Sequence, residues 1–495
     1  MTKKLTMDIQ KHFEPFKKGI IGEGYQFNTP YGKKALRYAD WLASGRLYKP
    51  IEEQIAGIFG PYVGNTHTET SETGTLMTKA YHYAHHLIKA HCNAGPEDVI
   101  ITQGSGMTHM VNKFQRILGL KICAKGDIKK CYEEQERPVV FITHMEHHSN
   151  HTSWFETIAD VVVLKPDEEL MVNPESLRQE LKKYRNRKFK FGAFTAASNV
   201  TGIEPPYYEL AKIMHENGGL CFVDFAASAP YVDINMHPED PEKKLDAIFF
   251  SPHKFLGGPG STGVLIFDRN LYNRKAPDLP GGGTVDWTNP WGGYKYIDDI
   301  EIREDGGTPA FLQTIRTALS IDLKNQMNTQ WIRQRETQLV EKAFSQMGKN
   351  PRIHILAEKQ QKRLGVLSFY IDNIHYNLAV KLLNDLYGIQ VRGGCACAGT
   401  YGHYLLNVSH DYSNEITARI ANGDLSDKPG WIRLSLHPTM TDQEVDYMLN
   451  AIDEISVHYE KYAGDYIYNK HKNEFRHHAE PEDKTDRIKE WFRLK

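Results

Sequence analysis

Leu220-Cys221-Phe222-Val223-Asp224, followed by Ala247-Ile248-Phe249-Phe250-Ser251-Pro252-His253-Lys254-Phe255, is the stretch on which the reading of this chain turns. Each apolar run lacks the polar alternation of a strand with one wet face. Each therefore reads as a strand buried on both sides, in a mostly parallel sheet covered by helices. The first run ends in an acid, and the second leads to a lysine ahead of a Gly-rich turn. Either residue alone is ordinary, since loop lysines are mostly solvated and a strand-end Asp often caps a helix. Together, both at strand ends, they fit pyridoxal phosphate (PLP). Its aldehyde is held by a lysine as a Schiff base, and an acid keeps its pyridine nitrogen protonated so that the ring draws electrons from the substrate's Cα.

Working outward, residues 98–102, 138–143, 160–164, 192–195 and 263–267 supply five more β-rich runs, making seven strands between about 97 and 270. Helical stretches alternate with them, such as 209–217, which Gly218-Gly219 stops. A long helical pattern over 311–347 leads into a second lobe containing 365–369 and 431–435. The expected fold class is α/β, with a seven-stranded, mostly parallel sheet and a smaller α+β domain. The expected divisions are an N-terminal appendage at 1–34, a large domain at 35–325, a small domain at 326–467 and a charged tail at 468–495.

Composition narrows the function. A chain of 495 residues, 40% hydrophobic and 25% charged, has enough apolar material for two or more lobes. A formal net charge of -2 argues against a nucleic-acid partner. Met1-Thr2-Lys3-Lys4-Leu5 opens no signal-peptide core, and no run of about 18 apolar residues occurs, so a soluble cytoplasmic protein is expected. Six cysteines over this length make no disulfide framework. Cys92, Cys123, Cys131 and Cys221 read as ordinary small residues, whereas Cys395 and Cys397 stand apart.

In open α/β sheets, ligands sit beyond the carboxyl ends of the strands. After Thr102 comes Gln103-Gly104-Ser105-Gly106-Met107-Thr108, a Gly-rich entry to a helix that suits a phosphate and is also an ordinary turn. After Thr143 comes His144-Met145-Glu146-His147-His148-Ser149-Asn150-His151. Its four histidines are spaced to share a helical face, which raises a metal site, but no His-Glu-x-x-His is present. Stacking of the His148 ring on a flat cofactor is the alternative, and it is the one expected here, with no metal. In Ala197-Ser198-Asn199-Val200-Thr201-Gly202, Asn199 is a donor candidate for an acidic phenolic oxygen, or the segment is only a turn.

Met145-Glu146-His147-His148-Ser149-Asn150, Ser198-Asn199-Val200-Thr201-Gly202, Val223-Asp224-x-Ala226, Ser251-x-His253-Lys254, Gly281-Gly282-Gly283, Gly307-Thr308-Pro309 and an Arg392-x-Gly-x-x-Cys397 loop occur in one order. Over roughly residues 35 to 460 the chain resembles class V aminotransferase-fold enzymes, in particular the cysteine desulfurase and selenocysteine lyase group. The resemblance implies a fold-type-I PLP homodimer acting on an amino acid. It makes Lys254 the Schiff-base lysine, Asp224 the pyridinium partner, His148 the stacking ring and Asn199 the donor to the phenolic oxygen. Ser105 and Gly106 resemble the phosphate turn, with Ser251 and His253 adding donors. Thr308 resembles a residue that reaches the partner subunit's phosphate, although Thr-Pro is also a good helix start. Arg433 matches the carboxylate clamp, assisted by Arg392.

In desulfurases a mobile-loop cysteine takes the substrate sulfur as a persulfide, and Cys397 falls on that position. A sulfur-acceptor protein is then the implied partner. The Cys-x-Cys pair also resembles molybdenum-cofactor sulfurases, whose extra C-terminal domain has no counterpart here. Two departures stand out. Ala227 replaces a Gln or His, so one hydrogen bond to the cofactor is absent or supplied by Ser228, and Cys395 and Ala396 replace histidines ahead of the nucleophile. The resulting expectation is a desulfurase or selenocysteine lyase. Its alternatives are an aminotransferase, an epimerase, a C–S lyase or a non-catalytic PLP-fold binding protein.

Overall fold

The structure, a computed structural model, describes residues 8–66, 68–121, 132–480 and 484–494. The reading of Met1 to Leu5, and of Cys123 and Cys131, lies outside the described residues; Cys92 and Cys221 are buried free thiols. Seven strands form one sheet: β1 (Asp98–Gln103), β2 (Val139–Thr143), β3 (Asp160–Leu164), β4 (Lys190–Thr195), β5 (Leu220–Asp224), β6 (Ala247–Phe250) and β7 (Gly263–Asp268). Their spatial order is β1-β7-β6-β5-β4-β2-β3. Strand β7 is antiparallel to both neighbours, and the remaining pairs are parallel.

The continuous apolar runs have their physical reason in the two faces of this sheet. Val99, Ile101, Phe222 and Phe249 pack on one side with Met110 and Phe114 of helix α2 (Met107–Ile117). Ile100, Val223, Ile248 and Phe250 pack on the other side with Ile88 of helix α1 (Glu72–His91). Because neither face meets water, both halves of the strand period are apolar.

Register aligns the chemistry. Asp224 pairs with Thr195 on one side and Phe249 on the other, while Val264 lies opposite both Phe250 and Thr102. The carboxyl ends of β1, β4, β5 and β6 therefore share one edge of the sheet.

Helix α3 (His148–Phe155) follows β2 and helix α4 (Tyr207–Glu216) follows β4, and the helical pattern at 311–347 is two helices, α5 (Phe311–Met327) and α6 (Thr329–Met347). Asn328 separates them at φ 65°, and its side-chain oxygen accepts from the backbone amides of Gln330 and Trp331 at 3.0 and 3.3 Å. Helical periodicity continues across the break, so only the cap chemistry of Asn reveals it. We expect Asn328→Ala to cost about 1–2 kcal/mol in chemical unfolding, and Asn328→Gly to cost much less.

A second sheet of four strands, β8 (Ile353–Ile355), β9 (Val366–Ile371), β10 (Arg392–Gly394) and β11 (Trp431–Ser435), is ordered β8-β9-β11-β10 and wholly antiparallel. Helices α6, α7 (Tyr376–Tyr387) and α8 (Asp442–His458) share its core. The start of the chain packs here as well. Ile9 and Phe13 enter that core, Arg37–Tyr38 pairs in parallel with Ile389–Gln390, and Asp40 bridges to Ser435. Near the other end, Tyr466–Asn469 and Glu474–His477 form a hairpin. No helix among the described residues is long and apolar enough to cross a membrane.

Candidate active site

A cavity of about 270 Å³ opens at the shared strand edge, with Lys254, Asp224 and Cys397 on its wall. Lys254 ends the short turn Pro252–Lys254 directly after β6. Loss of water around its amine pulls it down to about 8; Asp224 opposes that shift, and Arg433 and Arg392 reinforce it. Asp224 closes β5 and accepts from the Ala226 amide at 2.8 Å. Burial pushes its carboxyl up to about 6, against the pull of that amide and of Lys254.

Of the histidines after β2, His147 lines this wall and His148 does not. Helix α3 starts at His148, with His147 as its N-cap accepting from the Ser149 amide at 3.1 Å. Burial, with Lys254 nearby, lowers the His147 ring to about 4, so it is neutral at pH 7. His148 faces the other way, and its Nε2 accepts from the Gly399 amide at 3.0 Å. The shared helical face expected for four histidines is also corrected, because His144 and His147 precede the helix. Among the described residues no three potential metal ligands cluster. Glu146, which the sequence reading left without a role, sets this turn. It accepts from the Thr143 hydroxyl, the Thr195 amide and Asn150 at 2.7, 2.9 and 2.7 Å, and burial raises it to about 8.

At the start of α2 the wall is formed by Met107 and Thr108, while Ser105 and Gly106 stay off it. The Met107 amide donates to Ser251 Oγ at 2.8 Å, and a Cβ on Gly106 would stand only 2.9 Å from that oxygen. Ser251 and His253 therefore crowd the helix N-terminus as the sequence implied, but the cradle is centred one or two residues further along. His253 is lowered to about 4 by burial and the Lys254 charge. Asn199 lines the cavity and donates Nδ2 to the Ala396 carbonyl, leaving a buried Oδ1 without a partner among the described residues. Ala227 is on the wall; Ser228 is not, and its buried hydroxyl has no partner among the described residues.

Arg433 and Arg392 both reach the cavity. Asp40 joins them, at 3.0 Å from Arg433 and 2.9 Å from Arg392, and Arg433 also donates to the Asn199 carbonyl at 3.0 Å. Thr308 is exposed and off this cavity, and the helix after it starts at Phe311 without a side-chain cap, which removes the local-cap reading. The two loop cysteines part company. Cys397 lines the Lys254 cavity, whereas Cys395 lines a different cleft.

Residues 37–448 match the family model described as aminotransferase class-V. The chain belongs to the class V aminotransferase family. This class V chain is 28% identical over 392 residues to a probable cysteine desulfurase of Staphylococcus epidermidis, covering 77% of this chain and 87% of that one. A probable cysteine desulfurase of Staphylococcus aureus strain Mu50 is 26% identical over 429 residues, covering 85% and 92%. Among solved structures, the apo cysteine desulfurase of Thermococcus onnurineus superposes with a TM-score of 0.69 at 21% identity, over 85% of this chain and 95% of that one. An Escherichia coli cysteine desulfurase in its S-sulfonic acid form gives 0.66 at 21% identity, over 85% and 94%. These superpositions show the shared fold, a mixed α/β architecture.

In this class V chain Asp40 is a further residue that sequence reasoning missed. It lies more than 350 positions from either arginine, so spacing carries no signal of the contact. Removing it leaves the buried Arg433 guanidinium with one backbone acceptor. We expect Asp40→Ala to cost on the order of 3 kcal/mol in unfolding experiments, with a smaller loss for Asp40→Asn.

Proposed function

We propose that this chain is a PLP-dependent cysteine desulfurase or selenocysteine lyase of the cytoplasm. It removes sulfur or selenium from a cysteine-type amino acid to give alanine and passes it to an acceptor protein. The observation that carries the reading is Cys397 on the same small cavity as Lys254 and Asp224. The family match and the printed names of the relatives support it.

The residues present fit PLP. Lys254 is an enclosed amine, Asp224 a buried acid facing the same space, and Asn199 Oδ1 a buried atom in want of a partner. Met107, Thr108, Ser251 and His253 would hold the phosphate, and His147 would lie against the ring. When bound, the cofactor supplies an electron sink conjugated to the substrate's Cα. Asp224 then holds a proton at its far end. Lys254, freed by substrate and neutral above about pH 8, takes the Cα proton. Arg433 and Arg392 hold the substrate carboxylate, aiming Cβ and its sulfur toward Cys397. The Cys397 thiolate bonds to that sulfur as the Cβ–S bond breaks, leaving a persulfide and, after protonation at Cβ, alanine.

The test is an absorbance spectrum of the pure protein with and without cysteine, followed by alanine and sulfide assays. The expected result is a visible band that cysteine perturbs, with one alanine for each sulfur removed. A banded protein that makes no alanine from cysteine or selenocysteine would overturn the reading. The same proposal includes a homodimer in which Thr308 donates to the phosphate held by the other copy. Thr308→Ala should then weaken PLP retention several-fold with unchanged unfolding, and a fully loaded monomer by light scattering would sink the shared site.

A further inference from the structure

Cys395 and Cys397 are separated only by Ala396, yet they border different spaces. Cys397 lines the Lys254 cavity, and Cys395 lines a cleft of about 1040 Å³ formed by α7, β10 and the hairpin near the end of the chain. The turn between them is closed by the Ala398 amide donating to the Cys395 carbonyl at 3.1 Å. Ala396 and Cys397 both take positive φ, 48° and 56°, which side-chain-bearing residues rarely adopt in succession. Three tethers from the seven-stranded sheet's loops hold that turn. The His148 amide donates to the Cys397 carbonyl at 2.8 Å, the Gly399 amide donates to His148 Nε2, and Asn199 donates to the Ala396 carbonyl. The two thiols, with one residue between them, thus border adjacent spaces, that of Lys254 and the cleft beside it.

The cleft beside Cys395 is polar. Tyr376 spans it, donating to the Lys428 carbonyl at 3.2 Å and accepting from Asn473 Nδ2 at 2.6 Å. Lys428 and Lys472 are on the wall, and neither has a carboxylate partner among the described residues.

We propose that Cys395 is a second sulfur-carrying residue, taking the sulfane sulfur from Cys397 and presenting it in this cleft to an incoming thiol. The inference rests on the desulfurase reading and assigns the exit route of its product. The Cys395 thiolate attacks the outer sulfur of the Cys397 persulfide. A new S–S bond forms at Cys395, the Cys397–sulfur bond breaks, and its electron pair stays on Cys397 as thiolate. The persulfide proton travels with the transferred sulfur, so the exchange is redox-neutral and needs no further reagent. Cys397 is then ready for the next substrate, while the sulfur waits outside the cavity of about 270 Å³ that cofactor and amino acid must fill.

The experiment is peptide mapping of the holoenzyme after one equivalent of cysteine, quenched with an alkylating agent at successive times, with alanine counted in parallel. The expected result is one extra sulfur on Cys397 at early times and on Cys395 later. In Cys395→Ser the extra sulfur stays on Cys397, a first equivalent of alanine still forms, and later turnovers with dithiothreitol as acceptor slow by about tenfold. Alanine with an extra sulfur confined to Cys397 in the wild type overturns the relay and leaves the desulfurase standing. A Cys395–Cys397 disulfide with free sulfide also overturns it, because Cys395 would then resolve the persulfide instead of carrying it. No alanine and no extra sulfur on either residue overturns both readings together.

Discussion

Lys254→Ala should lose turnover by on the order of 10³-fold or more and leave no lysine in the cavity for borohydride to fix to the cofactor. The size of the effect follows from one amine serving twice, as the covalent tie and as the base at Cα. Its environment sets the pH dependence. With the amine lowered to about 8, its neutral fraction rises about tenfold per pH unit up to that point and levels off above it. Attachment of PLP to the cofactor-free protein should follow this curve, whereas an unperturbed lysine would climb to about 10.4. Asp224, raised to about 6, sets a lower limb, because below that pH it gains a proton and loses the charge that faces the pyridine nitrogen.

Stability has its own sign. The folded-state value of Lys254 lies below the unfolded one, so the charged lysine penalises the fold in full below about pH 8. That penalty fades as pH rises from about 8 toward the unfolded value of about 10.4. Lys254→Ala should therefore leave the cofactor-free protein's Tm at pH 7 unchanged or raised, which separates lost chemistry from lost folding. Finding the borohydride-fixed cofactor on another lysine would overturn the assignment.

Cys397→Ala should lower sulfur removal from cysteine by on the order of 10³-fold while the visible band and its response to cysteine persist. The reasoning is positional. Cys397 lines the same cavity as Lys254, Asp224 and Arg392, where a substrate clamped by its carboxylate would direct its sulfur. The measurement is alanine and persulfide formed per enzyme in a single turnover. Unchanged sulfide release in this variant would point to a lyase that expels sulfur without a protein thiol.

The sheet was legible because burial on both faces imposes a continuous apolar run, a signal contained within each strand. Residues 160–164, 220–224 and 247–250 begin and end in the structure where the apolar pattern does. Lys254 and Asp224 could be placed for the same reason, since a strand's carboxyl end is a topologically defined position. The break at Asn328 was hidden because two helices in line keep one period, and the capping side chain is the sole local mark.

What the sequence by itself determined is the seven strands along the chain, the acid and the lysine at their ends, and the family motifs strung between them. Tertiary structure decided which of two adjacent candidates faces the cavity: His147 over His148, Met107 and Thr108 over Ser105 and Gly106, Cys397 over Cys395. In loops no period fixes direction. There the side chain's aim is set by tethers from distant segments, such as Asn199 to Ala396, His148 to Cys397 and Asp40 to both arginines. Those contacts join residues hundreds of positions apart, and they exist only once the two sheets have closed around the cavity.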